Sequence, residues 1–217
     1  MKRTIIFGDV HGCVDEWNEL LVKVGAGPDD DLISVGDIIG KGPDSGGALE
    51  LALGLPNLRA VLGNHEVRIL RYWSEDRPPT TPWDIAAVDS MGERFPDMMS
   101  AVAEWPYFIE ASDYLVVHAG LRDGVSLEEQ SADDLTRIRE LSPGGPAWYE
   151  RYTDERLVVF GHWAVAGLVV RPNAIGLDTG CVYGGELSAV ILPEREIVSV
   201  PARRQYVDPL APRPKIR

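Results

Sequence analysis

The sequence predicts a layered α/β (α+β) fold, and three observations carry that expectation. Short β-branched runs alternate with segments of helical apolar spacing, the pattern of sheets covered by helices. At 217 residues the chain suits one domain with a modest insertion and can bury a real core. Apolar residues make up 45% and charged residues 25%, the ordinary balance of a soluble globular protein.

Strands are expected, in chain order, at 4–7, 32–35, 58–62, 114–117 and 157–160, each a compact apolar run. Between the first two, Val14, Trp17, Leu20, Leu21 and Val24 repeat at helical spacing, and Gly25 with Gly27–Pro28 closes the helix. Residues 45–53 and 67–73 read as further helices. A Pro-rich loop opens the stretch 74–106, and 83–105 reads as helical, an insertion or cap over one end of the sheet. It either touches substrate or serves as a plain connection. Residues 174–177, 186–192 and 197–200 read as a β-meander, and 201–217 as a loosely held tail rich in Pro and Arg. The main domain is therefore drawn as 1–200.

Composition narrows the function classes. Acids outnumber bases 34 to 21, for a net charge of −13. A chain this negative gains nothing from counterion release, so no nucleic acid is expected as partner. Two cysteines without a CxxC give neither a disulfide framework nor a thiolate zinc site, and suit a reducing cytoplasm. No apolar stretch approaches the roughly 20 residues of a membrane span, so no membrane partner is expected either.

The residues just past each strand are more specific. The first strand runs into Asp9 and His11, the second into Asp37, the third into Asn64 and His65, the fourth into His118 and the fifth into His162. Loops at the carboxyl ends of strands are where sites assemble. The chain has four histidines, and all four sit at these ends. Glycines flank them in Gly8-Asp9-Val10-His11-Gly12, Gly36-Asp37, Gly63-Asn64-His65-Glu66, His118-Ala119-Gly120 and Gly161-His162. Such residues permit a sharp turn off a strand and close approach of backbone to an anion. Asp, Asn and His without thiolate suit a borderline divalent ion such as Mn²⁺, Zn²⁺, Fe, Ni²⁺ or Co²⁺. The set Asp9, His11, Asp37, Asn64, His118 and His162 exceeds the needs of one open site. It fits two divalent metal ions sharing a carboxylate, roughly 3.5–4 Å apart, that activate water for attack on phosphorus.

The blocks GDVHG, GDIIGKGPDS, GNHE, VVHAG and VVFGHW, in this order, resemble the calcineurin-like metallophosphoesterases. The branch they resemble most holds Ser/Thr protein phosphatases and symmetrical diadenosine tetraphosphate hydrolases. IRELSPGG and IGLDTGCVYGGELSAVIL look like the bacterial tetraphosphate-hydrolase group, so the similarity runs over about residues 4–192, outside the insertion.

The resemblance implies an αββα sandwich of two mixed sheets with Asp9, His11 and Asp37 on one metal and Asp37, Asn64, His118 and His162 on the other. It makes His65 the general acid for the leaving oxygen, and Lys41 and Arg139 phosphate contacts. The bland readings are a solvated loop lysine and a helical surface arginine. Glu66 reads as a structural partner. Gly40 departs from the pattern: many relatives carry an aspartate there that partners the histidine equivalent to His65 and raises its basicity. His65 is then expected to titrate lower, or Asp44 to substitute.

The resulting expectation is hydrolysis of a small phosphorylated substrate, a nucleotide polyphosphate such as diadenosine tetraphosphate. A phosphoprotein substrate and a non-catalytic metal-dependent scaffold are the alternatives. Trp73, Trp83 and Trp105 are candidate stacking surfaces for a base, or core aromatics.

Overall fold

The computed structural model describes residues 3–208. In chain order the elements are β1 (Thr4–Phe7), α1 (Val14–Lys23), β2 (Asp31–Ser34), α2 (Ser45–Gly54), β3 (Leu58–Ala60), α3 (Asn64–Ser74), α4 (Pro82–Met91), α5 (Phe95–Val102) and β4 (Phe108–Glu110). Then come β5 (Tyr114–Val117), α6 (Ala132–Arg137), α7 (Trp148–Arg151), β6 (Leu157–Phe160), β7 (Val169–Val170), β8 (Ala174–Gly176), β9 (Glu186–Leu192) and β10 (Glu196–Pro201).

Among the described residues the strands form two five-stranded mixed sheets, ordered β10-β9-β1-β2-β3 and β4-β5-β6-β8-β7. In the first, β1, β2 and β3 run parallel and β9 pairs antiparallel with β1. In the second, β5, β6 and β8 run parallel.

Both faces of the central strands are covered, which is why they read as unbroken apolar runs. Successive side chains alternate between faces. From β1, Ile5 and Phe7 join Trp17 and Leu20 of α1 in one core, while Ile6 faces the other way. Ile6, Ile33, Val116, Val159, Ile175 and Val190 meet between the sheets. On the far side Leu115, Val117, Val158 and Phe160 pack with Leu135 of α6 and Trp148 of α7. Helices, sheet, sheet and helices thus form four layers around three apolar seams. This is the expected sandwich.

Four local expectations change. The meander is not one: β8 joins the second sheet beside β6, and the chain then crosses to the first, where only β9 and β10 form a hairpin. The connection between β8 and β9 is too long for a tight turn, which the apolar spacing alone did not reveal. Helix α3 begins at Asn64 rather than at residue 67. Its start is set by the Glu66 carboxylate, which reaches back to accept the Gly63 amide at 3.0 Å. Strands β4 and β7 were not expected from the sequence; each is short.

The tail is tied down as far as Val207. Arg203 N and Tyr206 OH both donate to Glu16 Oε1, at 2.9 and 2.7 Å, and the Tyr206 and Val207 amides bond Val182 O. The rest of the expected loose tail, 209–217, lies outside the described residues.

Residues 74–106 supply α4 and α5. Thr81 caps α4 by accepting the Asp84 amide at 3.1 Å, with Pro82 at its first position. Met91, Met98, Met99 and Val102 enter the helix-side core, and Trp73 and Trp105 pack against it. Those two tryptophans therefore serve packing.

Candidate metal centre

The carboxyl ends of β1, β2, β5 and β6 converge on one edge of the sandwich, and the N-terminus of α3 joins them. Asp37 Oδ2 is the meeting point. It lies 3.6 Å from His11 Nε2, 3.5 Å from His118 Nε2 and 4.0 Å from His65 Nε2. Asp9 Oδ2 is 4.0 Å from His11 Nε2. Asn64 Oδ1 sits 3.2 Å from His118 Nε2, and the rings of His118 and His162 are 5.1 Å apart. All six residues singled out as ligands, and His65 with them, share one cluster, buried but for the partly exposed His162.

Turns hold them there. His11, Asp37, Lys41 and His162 are four of the six non-glycine residues with positive φ among those described. Strain of this kind persists only where surroundings over-determine it. The Asp37 loop is braced by Glu66, whose carboxylate accepts the amides of Asp37 (2.8 Å), Ile39 (3.1 Å) and Gly63 (3.0 Å). Glu66 is thus the structural partner expected. Asp9 accepts the His162 amide on both oxygens at 3.1 Å. A Cβ on Gly161 would overlap Asp9 Oδ1, so only glycine lets β6 come this close.

The donor set fits divalent ions. His118 Nδ1 donates to Val35 O at 2.8 Å, so its Nε2 carries a lone pair. Asn64 Oδ1, 3.2 Å away, is also an acceptor, and two lone pairs face each other unless a cation lies between them. His11 repeats the pattern: Nδ1 donates to Ile39 O at 3.2 Å, so Nε2 carries a lone pair, which faces Lys41 Nζ at 2.9 Å. His162 Nε2 donates to Arg137 O at 3.2 Å, which frees Nδ1. The donor atoms of Asp37, His118 and His162 lie within 4.8 Å of one another, and His11, Asp37 and His65 gather as closely around the same carboxylate.

Electrostatics agrees. Burial lowers His11 to about 3, helped by the charge of Lys41, and lowers His162 to about 2, helped by His118 and Arg139. Burial likewise pushes His65 well below the usual histidine range. These rings are neutral at pH 7, the form that binds metal. Asp9 is pushed well up by burial and by the charges of Asp178 and Asp37. Burial would raise Asp37 too, but Lys41 and the His118, His65 and His11 rings in the charged form they take only in acid outweigh it and hold it well below the carboxylate range. Three buried carboxylates in one cluster call for positive charge.

Asp178 was not singled out from the sequence. It is buried, its Oδ1 accepts the Gly180 amide at 3.2 Å, and burial raises it. The signal was present, since it comes just after strand β8 much as Asp9 comes after β1.

Lys41 and Arg139 sit beside different histidines. Lys41 Nζ stands 2.9 Å from His11 Nε2 and 5.3 Å over the Tyr183 ring, so it is not a solvated loop residue. Arg139 lies beyond the end of α6, not on a helix, and reaches His162 O at 3.4 Å. Asp44 does not substitute for the carboxylate missing at Gly40: its side chain caps α2 by accepting the Gly47 amide at 2.7 Å. His65 Nδ1 instead meets Arg68.

A two-sheet sandwich whose strand ends gather carboxylates, imidazoles and an amide for divalent ions defines a metal-dependent phosphohydrolase. The model of the calcineurin-like phosphoesterase family matches residues 2–200, and the chain belongs to that family, whose members hydrolyse phosphate esters or anhydrides with divalent metal ions. A symmetrical bis(5'-nucleosyl)-tetraphosphatase of Janthinobacterium sp. (strain Marseille) is 31% identical over 91% of this chain and 95% of its own. One from Bordetella parapertussis is 30% identical, covering 96% and 99%. A solved structure assigned provisionally as a diadenosine tetraphosphatase superposes with a TM-score of 0.82 at 33% identity, covering 93% and 94%. Among the described residues no helix is long and apolar enough to cross a membrane.

Proposed function

We propose that this chain hydrolyses a phosphoric anhydride bond of a nucleotide polyphosphate, with diadenosine tetraphosphate as the first candidate, using two divalent ions, manganese foremost. One observation carries the reading: Asp37 Oδ2 stands within 4.0 Å of three imidazole nitrogens contributed by three different segments.

Asp9, His11 and Asp37 hold one ion in this reading, and Asp37, Asn64, His118 and His162 the other. Bound there, divalent ions polarise the phosphoryl oxygens and make a nucleophile from water at neutral pH. The remaining work falls to the chain. Lys41 and Arg139 clamp the phosphate from opposite sides and offset its charge. His65 donates from Nε2 to the leaving oxygen.

A groove is lined by Lys41, Gly42, Pro43, Arg204, Gln205 and Tyr206. Arg204 lies 5.0 Å over the Tyr206 ring. Two cations and a phenol along one groove suit a polyphosphate chain with a base at its end. The tetraphosphatases at about 30% identity across nearly their whole length support the same substrate class. Two buried free thiols, Cys13 and Cys181, suit a reducing compartment such as the cytoplasm.

The test is a panel of diadenosine polyphosphates, nucleoside triphosphates and phosphopeptides, each with Mn²⁺, Zn²⁺, Ni²⁺ and Co²⁺. The expected result is fastest turnover of a dinucleoside polyphosphate with Mn²⁺. Faster hydrolysis of phosphoserine peptides would make the chain a protein phosphatase. Metal binding without turnover of any substrate would make it a scaffold.

A further inference from the structure

With Gly40 in the adjoining loop, no carboxylate meets His65 Nδ1; a cation does. Arg68 Nη2 lies 2.8 Å from His65 Nδ1, three residues further along α3 on the same face. The guanidinium is held from behind. Its Nε and Nη2 donate to the two oxygens of Asp84, at 2.8 and 2.6 Å. Asp84 is fully buried in the first turn of α4, inside the inserted segment, with Tyr72 OH 3.4 Å from Oδ2. Gly40, at φ +90°, closes the opposite side: a Cβ there would overlap His65 Nδ1. No side-chain carboxylate fits that position while the ring stays where it is.

The polarity of this contact is fixed by chemistry. A guanidinium has five N–H donors and no acceptor, and it keeps its charge. His65 Nδ1 therefore accepts, and the one ring proton sits on Nε2, the nitrogen that faces Asp37 Oδ2 at 4.0 Å. An aspartate partner demands the reverse, a proton on Nδ1. For the ring to give up its Nε2 proton outright, Nδ1 must carry one as well, and here Nδ1 is engaged by a donor.

We propose that the Asp84–Arg68 pair positions His65 as a neutral Nε2–H hydrogen-bond donor and thereby selects leaving groups that depart as anions. Those are the phosphates of a phosphoric anhydride, in preference to the serine or threonine alkoxide of a phosphoprotein. The proposal rests on the reading that His65 faces the leaving oxygen. In the step, water oxygen forms the new P–O bond while the bridging P–O bond breaks. Its electron pair stays on the leaving phosphate, which accepts the Nε2–H hydrogen bond, and the proton lost by water passes to solvent. Arg68 and Asp84 are positioning residues, and through them the insertion acts on the site.

Two readouts test this on the full chain. The first is ¹⁵N-resolved NMR of the His65 ring in chelator-treated protein, which reports the nitrogen bearing the proton. The second is the ratio of kcat/KM for diadenosine tetraphosphate to that for a phosphoserine peptide, in the Mn²⁺-loaded enzyme. Wild type should show Nε2–H with bare Nδ1. Arg68→Met should mix the tautomers, lower kcat on the dinucleotide by about tenfold or more with little change in KM, and shrink the ratio. Arg68→Lys, still a donor, should restore most of the ratio.

Because Arg68→Met strands a buried Asp84, the double variant Arg68→Met with Asp84→Leu repeats the test without the buried charge. A proton on Nδ1 in wild type would overturn the proposal, as would an unchanged ring signature and ratio in both variants. His65→Ala separates the two levels. No loss on either substrate would overturn the reading of His65 itself, whereas a loss there with no effect at Arg68 would overturn the positioning proposal alone.

Discussion

Asp37 concentrates the site in one side chain: Oδ1 accepts the His65 amide at 2.9 Å, while Oδ2 faces three imidazoles. Asp37→Asn keeps the shape and removes the charge. It should cut kcat by about 10²-fold or more while circular dichroism stays unchanged; near-wild-type turnover would remove Asp37 from its shared position. Glu66 gives a pH signature. Burial first and the Asp37 charge second push it up from 4.5 to about 8. Below 4.5 both states hold its proton. Between those values only the folded chain does, so its stabilisation drains away as pH rises through about 8. The slope is about 1.4 kcal/mol per pH unit. Asp9 and Asp178, also raised by burial, act in the same direction. His11, His65 and His162, all shifted downward, are silent above 6.5. Chelator-treated protein should therefore unfold at lower urea at pH 7.5 than at pH 6.5, and Glu66→Gln should flatten the slope; equal slopes would disprove the assignment. At this scale the residues of the cluster were legible because each comes directly after an apolar strand run. Arg68 and Asp84 were not, because their contact joins two helices across sixteen residues of sequence and leaves no periodic trace.

At the scale of elements, strands that end in the clustered residues were readable from compact apolar runs, since burial on both faces leaves no polar positions to break them. Pairing was harder. Residues 174–200 carry three strand-like runs, and only their partners decide the sheet: β8 finds β6, while β9 finds β1. The tail shows the opposite failure. Its Pro and Arg content suggests looseness, yet Tyr206 docks on buried Glu16 of α1, a tertiary contact composition cannot report. Docking carries Arg204 to the groove beside Lys41. Arg204→Ala should raise KM for diadenosine tetraphosphate severalfold, an effect of about 1 kcal/mol, and leave p-nitrophenyl phosphate untouched. Equal change on both substrates would detach the groove from substrate recognition.

Across the whole molecule, the surface and the site obey different electrostatic rules. A net charge of −13 repels polyanions in general, so on the proposed reading an anionic substrate is won locally by bound cations, Lys41 and Arg139. The sandwich makes this local reversal possible by bringing two parallel strand sets to one edge, where their C-terminal turns meet. Metal then belongs to the stability of that edge as well as to its chemistry, because cations neutralise carboxylates that otherwise repel in the interior. The direct measurement is metal content of the full chain after reconstitution with Mn²⁺ and removal of excess, read by atomic emission alongside hydrolysis of diadenosine tetraphosphate. Two ions per chain are expected, with activity lost on chelation and regained as the ions return. Full activity in chelator-treated, metal-depleted protein would contradict a dinuclear centre at Asp37.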